Sequence, residues 1–249
     1  VDLGERGAGT ERHPWETARV EAVKGIVRRL AIEKPSVLDI GCGDGFVLQQ
    51  LRHSLDLRRA LAYDLRLTDD LIDQLATPEV RFVRDLGEVS GEPVDLVLLL
   101  DVLEHIENPI EYLGRVVHEQ LAPRGWVVVT VPAFQALFTQ HDRDLLHFRR
   151  YSRSEIAAVA RKAGLDVVDS GYLFPSLVVP RAIAALRERA LPPKKQSNDF
   201  GIGNWRRSSL LTRAIHGALC WDNRLALAAH DVGVTIPGLS AWLTCRKPS

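Results

Sequence analysis

Nine residues, Val37 to Gly45, constrain this chain more than any other stretch of it. They read Val-Leu-Asp-Ile-Gly-Cys-Gly-Asp-Gly, a short apolar run, a turn with glycine at 41, 43 and 45, and then the start of a helical pattern. A glycine has no Cβ to keep a ligand off the backbone, and it accepts positive φ where the chain turns sharply. A second apolar run, Ala60 to Tyr63, ends in Asp64. That is about the 20-residue spacing at which dinucleotide-type folds place an acid on a ribose. Two strands, a bare loop and an acid fit a nucleoside.

Charge narrows the ligand. The spacing G-x-G-x-G is not the G-x-G-x-x-G of pyrophosphate binders, and Asp39 and Asp44 bracket the turn. Asp44 stands near the positive end of the following helix, where a diphosphate would otherwise sit. A ligand carrying a sulfonium and an ammonium meets opposite charge there, and S-adenosylmethionine carries both. The stretch resembles the first motif of the class I S-adenosylmethionine-dependent methyltransferases, in their small-molecule branch. The resemblance implies cofactor contacts from Asp39, Gly41, Cys42, Gly43 and Gly45, from Asp64 and Leu65 at the ribose, and from Asp85 and Leu86 (in Phe-Val-Arg-Asp-Leu) at the adenine. Trp15 and Arg19, one helical turn apart, are similar to an entry helix of one branch. That similarity implies that Arg19 meets the methionine carboxylate.

The rest of the chain alternates strand and helix patterns. Apolar residues from Trp15 to Leu30 recur at helical spacing. Strands are predicted at about Ser36 to Ile40, Arg59 to Tyr63, Val80 to Arg84, Val94 to Leu100 and Gly125 to Val131, with helices near 45–54, 67–76 and 109–120. This order predicts an α/β fold with a doubly wound, mostly parallel seven-stranded sheet. Val94 to Leu100 is apolar apart from Asp95, as a strand covered on both faces must be. It runs into Asp101-Val-Leu-Glu-His-Ile-Glu-Asn-Pro, which resembles the family's fourth-strand motif. Ligands lie beyond the carboxyl ends of such strands, so Asp101, Glu104 and His105 are expected beside the cofactor.

The segment from Pro132 to Tyr151 is polar and is predicted to be irregular, on the side where the acceptor belongs. A helix at about Ser154 to Ala163, capped by Ser152 and stopped by Gly164, precedes a sixth strand at Leu165 to Tyr172. The stretch from Asp142 to Glu155 resembles a subgroup found in sugar-linked and secondary-metabolite pathways, as does the last strand, near Pro237 to Lys247. Between them, residues 173–234 form a helical insertion with patterns at Leu177 to Arg189 and Ser209 to Ala229, joined through a Pro-Pro-Lys-Lys stretch at 192. The insertion is expected to act as a lid or subunit contact within a single domain, with cores at 13–172 and 235–249. The glycine-rich start, to about residue 12, is expected to be flexible.

Lysine plus arginine and aspartate plus glutamate number 32 each, so no global field points to nucleic acid. Cys42, Cys220 and Cys245 are too few and too far apart for a disulfide framework or a zinc cluster. No apolar run is long enough for a membrane span or a leader. A cytoplasmic monomer or homodimer acting on a small molecule is expected.

A hydroxyl or amine acceptor needs a group to take its proton, and His147, His141 and His105 are the histidines near the strand ends. Arg149, Arg150 and Tyr151 are expected to contact the acceptor. His141, Asp142, Asp144 and His147 show no recognised ligand spacing, so no metal is assigned. Three functions stay open: methyl transfer to a small molecule (oxygen first, nitrogen or carbon open), a non-methylating displacement or ring closure with the same cofactor, and a nucleoside-binding protein without catalysis.

Overall fold

A computed structural model describes residues 12–89, 91–191 and 208–249. The first eleven residues and the 192–207 linker lie outside the described residues. The elements run α1 (Pro14–Arg29), β1 (Ser36–Ile40), α2 (Phe46–Arg52), β2 (Arg59–Tyr63), α3 (Asp69–Leu75), β3 (Arg81–Val83), β4 (Val94–Leu100), α4 (Pro109–Gln120) and β5 (Leu121–Pro132). Then follow α5 (Gln140–Asp144), α6 (Arg153–Lys162), β6 (Asp166–Leu173), α7 (Val178–Ala190), α8 (Ser209–Asp231) and β7 (Ser240–Arg246).

The seven strands form one sheet in the order β3-β2-β1-β4-β5-β7-β6, as the alternation predicts. The first five are parallel, and β7 lies antiparallel between β5 and β6. The order reverses between β1 and β4, so the chain leaves these neighbouring strands toward opposite sides and opens a crevice at their carboxyl ends. Both strands are apolar because helices cover both faces. On one face Leu38, Ile40, Val97 and Leu99 pack with Leu113 and Val117 of α4 and Ile156 of α6. On the other, Val37, Leu96 and Leu98 pack with Val23 and Ile26 of α1, Leu48 of α2 and Leu219 of α8.

Local signals act where the sequence shows them. Ser152 and Glu155 make a capping box at the start of α6, and Gly164 ends it with φ +87°. Two predictions need correcting. The segment 132–151 is not irregular throughout: a 3₁₀ turn (Gln135–Leu137) leads into α5, which Thr139 and Asp142 start with a second capping box. Strand β5 also starts earlier than Gly125, at Leu121, which pairs with Val94 before a register shift. No described helix is long and apolar enough to cross a membrane.

The helices of the insertion pack on the rest of the chain. Helix α8 lies along α1: Thr17 Oγ1 stands 2.8 Å from His216 Nδ1, and Leu219 and Leu227 join the cluster that holds Ala18 and Val23. Asn223 Oδ1 accepts from the Phe174 amide at 2.8 Å. Helix α7 reaches the other way, toward the β5–α6 connection, where Arg181 donates to Thr139 Oγ1 at 2.7 Å and to Asp142.

Re-entry into β7 is tight. A Cβ on Gly238 would lie 2.1 Å from the Leu173 carbonyl oxygen and 2.6 Å from its carbon, both backbone atoms that cannot swing aside. Gly238→Ala is expected to lower stability by about 1–3 kcal/mol, the usual cost of overpacking. A urea midpoint equal to that of the parent would show that the strands have slack there.

Candidate active site

The glycine loop closes the crevice from the β1 side. Gly41, Gly43 and Gly45 have φ of +74°, +56° and +73°, conformations that side-chain-bearing residues rarely adopt. A Cβ on Gly41 would come within 2.7 Å of Val102 Cγ2, and one on Gly45 within 2.6 Å of the Phe82 ring. The amides of Gly41 and Cys42 both donate to the Tyr63 carbonyl, pinning the loop to the end of β2. Asp64 tightens the same junction: Oδ2 accepts from the Gly43 amide at 3.0 Å and Oδ1 from the Arg66 amide at 2.9 Å. Each oxygen keeps a second lone pair for an outside hydroxyl. Asp85, at the end of β3, accepts from the Gly87 amide at 2.8 Å. Burial, then the charges of Asp85 and Asp64, raise the Tyr63 phenol above its ordinary value. Leu65 is 80% exposed beside Asp64, and Leu86 is partly buried against the core.

The inner end of the crevice is lined by Glu16, Arg19, Asp39, Gly41, Cys42 and Asp44, among others. Arg19 is buried on α1, lies over the Trp15 ring and pairs with Asp101, whose other oxygen accepts from Thr130 Oγ1. Two polar atoms here, Arg19 Nε and Asp39 Oδ2, have no partner among the described residues. One is a donor and the other an acceptor, and both residues line the same cleft. That is what a ligand bearing a carboxylate and an ammonium would satisfy, so the residues present fit the methionine end of S-adenosylmethionine. Burial raises Asp39 to about 7; Arg19 opposes this and Asp64 adds to it. Burial also raises the Cys42 thiol far above its ordinary value, so Cys42 is a packing residue of the loop and no nucleophile.

Across the crevice, the chain leaving β4 makes a 3₁₀ turn, Leu103–His105. The β5–α6 connection docks on this turn through the Phe148 amide, which donates to the Glu104 carbonyl at 2.8 Å. His147 and His105 thereby meet edge to face, ring centroids 4.6 Å apart. His147 Nδ1 lies 3.1 Å from Asp142 Oδ1. Asp142 is fully buried and also accepts from Arg150 Nε at 2.7 Å, from Arg181 and from the Thr139 amide. Burial alone would raise its carboxyl, but His147, Arg150, Thr139 and Arg181 together hold it well below the usual range. Burial and the neighbouring His147 depress His105 to about 4, and burial with Arg181 lowers His141, so both imidazoles are neutral at pH 7.

The histidines named from the sequence thus lie on this face, His105 and His147 in contact and His141 on α5. Arg150 is buried, donating to Asp142 and to the Ala133 carbonyl. Tyr151 is buried with its hydroxyl on the Leu103 carbonyl, and Arg149 donates to the Glu107 carbonyl. Asp142 and Arg181 were not named as site residues. The Thr139-x-x-Asp142 pattern marks the first as a helix cap; nothing local points from Arg181 to a partner 39 residues away.

A glycine turn at the switch point, with an unpaired donor on Arg19 and an unpaired acceptor on Asp39 in the cleft beside it, suits an α/β enzyme that binds S-adenosylmethionine. Residues 15–170 match the model of a family described as a methyltransferase domain, and the chain belongs to that family. It is a class I S-adenosylmethionine-dependent methyltransferase. Among curated relatives, the ubiquinone biosynthesis O-methyltransferase of Hydrogenovibrio crunogenus is 25% identical over 183 residues, 66% of this chain and 73% of that protein. The protein of the same name from Xanthomonas euvesicatoria is 28% identical over 65% of this chain and 74% of its own. Among solved structures, the 1,6-didemethyltoxoflavin-N1-methyltransferase of Burkholderia thailandensis has the same fold, with a TM-score of 0.53 and 20% identity over 94% of this chain and 79% of that one.

With Asp39 against the cofactor ammonium, binding is expected to depend on pH. A bound ammonium favours the ionised carboxylate, so binding lowers the Asp39 pKa from about 7. Affinity is then expected to rise with pH up to about 7 and to level off above it. Calorimetry at pH 6 in buffers of different ionisation heat should show net proton release on binding that fades by pH 8.5, and Asp39→Asn should abolish the release. Equal release in the variant would place the titrating group elsewhere.

Proposed function

We propose that the protein methylates a hydroxyl oxygen of a small organic acceptor in a biosynthetic pathway. The observation that carries this reading is the His105–His147 pair at the end of β4, backed by the buried Asp142. Bound S-adenosylmethionine supplies an activated methyl group, so the protein has chiefly to align the acceptor and deal with its proton. Asp142 accepts from the Nδ1–H of His147, which leaves Nε2 with its lone pair toward the acceptor side. His105, neutral and in contact with His147, lines the same face. The O-methyltransferase names of the curated relatives support oxygen as the acceptor atom.

Arg150 and Tyr151 act in this reading by holding the loop in place rather than by touching the acceptor, since their polar atoms are engaged on Asp142, Ala133 and Leu103. Arg149 keeps an acceptor-facing role only if it leaves the Glu107 carbonyl. Arg19, with its unpaired Nε, takes the cofactor carboxylate, while Asp64 and Asp85 take ribose and adenine. The insertion belongs to the same domain and covers the acceptor side, because Arg181 ties α7 to the residue that orients His147.

The test pairs an acceptor screen with a variant. Labelled cofactor offered to a panel of phenols, enols and sugars should yield a methylated product together with S-adenosylhomocysteine. With the acceptor in hand, His147→Ala is expected to lower turnover by roughly 10²-fold or more while S-adenosylmethionine affinity stays the same, since the imidazole acts on the reacting acceptor. Wild-type kinetics in a folded His147→Ala protein would make this loop structural.

A further inference from the structure

One group on the acceptor face has no role in that account. Glu104 is 0% exposed, and neither carboxylate oxygen has a hydrogen-bond partner among the described residues. A buried carboxylate without a partner is costly to keep. The nearby guanidinium groups do not answer it, because Arg19 is engaged with Asp101 and Arg150 with Asp142. What does reach toward it is the histidine pair: Glu104, His105 and His147 each bring one ligand-type atom to within 4.8 Å of the other two.

We propose that Glu104, His105 and His147 form the binding site of a divalent transition ion, of the zinc, cobalt or manganese type, that holds the acceptor oxygen. The inference rests on the reading of this face as the acceptor site.

Three features of the geometry support an ion. The first is spacing. Carboxylate oxygens and imidazole nitrogens sit about 2.0–2.2 Å from such an ion, so two ligands on it stand at most about 4.4 Å apart. The three atoms need to close by only a few tenths of an ångström, yet none of them is paired with Glu104 as a hydrogen bond would require.

The second is what lies behind each imidazole. A ligating histidine ordinarily gives its other ring nitrogen to a carboxylate or a carbonyl, which fixes the ring and its tautomer. His147 gives Nδ1 to Asp142, itself held by Arg150 and Arg181, and the His105 ring rests edge to face on the His147 ring. The His147 ring is therefore anchored at Nδ1, which leaves its other nitrogen to offer.

The third is access. Glu104 closes the inner side, while His147 is half-buried and His105 exposed, so the outer side is open to solvent. Three protein ligands with open positions are the pattern of a catalytic site rather than a structural one. Two imidazoles and one carboxylate also favour a borderline transition ion over magnesium, which takes mainly oxygen ligands.

The ion changes how the acceptor is activated. A hydroxyl beside a divalent cation ionises more readily: its O–H bond would break with the proton passing to water, and the pair left on oxygen would form the O–CH₃ bond as the methyl–sulfonium bond breaks and returns its pair to sulfur, leaving S-adenosylhomocysteine. His147 is then a ligand and not the proton acceptor. No oxidation or reduction is involved.

The full chain, stripped with a chelator and titrated with Co²⁺ alone, is expected to take up one ion per chain with a visible absorption band that Zn²⁺ displaces. Glu104→Gln, His105→Asn and His147→Asn should each weaken Co²⁺ binding roughly tenfold or more, while S-adenosylmethionine affinity and circular dichroism remain those of the parent. His105 is exposed, so its variant carries the test if the buried Glu104 does not tolerate change. Absence of Co²⁺ uptake at millimolar concentration, or unchanged uptake in the folded variants, overturns the site. If the stripped enzyme methylates its acceptor at the full rate, the ion falls and the O-methylation reading stands. If Co²⁺ binds at these residues but no hydroxyl acceptor is found, the site stands and that reading falls.

Discussion

Strand β1 hydrogen-bonds to β2 on one side and to β4 on the other, all three parallel, and the rest of the molecule depends on that arrangement. Parallel neighbours whose connections depart toward opposite sides must leave a gap at their carboxyl ends. The glycine turn after β1 and the 3₁₀ turn after β4 are the two lips of the gap. Each is pinned by backbone hydrogen bonds, to Tyr63 in one case and from Phe148 in the other. The crevice is therefore a property of a rigid sheet, and the side chains in it inherit that rigidity. Because the strands on either side are covered by helices on both faces, the cleft is reached only from the strand ends.

Electrostatics divide the crevice. At the inner end, Asp39, Asp44, Glu16 and Arg19 line one cleft, an arrangement suited to a ligand that carries both signs of charge. Asp39 has the more telling environment, since burial holds its carboxyl near neutrality until a cation arrives. Across the crevice, Asp142 shows the opposite behaviour. Its burial is outweighed by four donor residues, His147, Arg150, Thr139 and Arg181, and it stays ionised. The same residue type is thus poised in one place and locked in the other, with the number of donors deciding between them. Glu104 belongs to neither case, being buried, unpaired and raised by burial and by Asp101.

Asp142 also ties the inserted helices to the chemistry. It caps α5, orients His147, anchors Arg150 and receives Arg181 from α7. Movement of α7 must therefore be felt at His147, through a single carboxylate that the remaining partners continue to hold. On the far side, α8 is fastened to α1 through His216 and a shared apolar cluster and to the end of β6 through Asn223, so the two helices of the insertion hold different parts of the chain. Several large apolar residues of these helices, Leu210, Trp221 and Leu225 among them, remain exposed.

Most of the fold was legible in the sequence because it rests on local signals. The periods of α1, β1, β2 and β4, the cap of α6 and the glycines of the turn are all written within a few residues of where they act. So are Asp64 and Asp101, whose positions follow from the strand they end. The short helix α5 was missed although its Thr139–Asp142 cap is local, because the polar run around it carries no hydrophobic period. What no local pattern contains is the meeting of distant segments: Arg19 with Asp101, Arg181 with Asp142, and Glu104 with His147. Those contacts exist because sheet order brings chain ends together, and sheet order is decided by how the apolar faces of all the elements pack at once. The sequence by itself determined which residues could bind a nucleoside and where the helices and strands lie; only the tertiary structure decided which charges would face each other and which would be left unpaired.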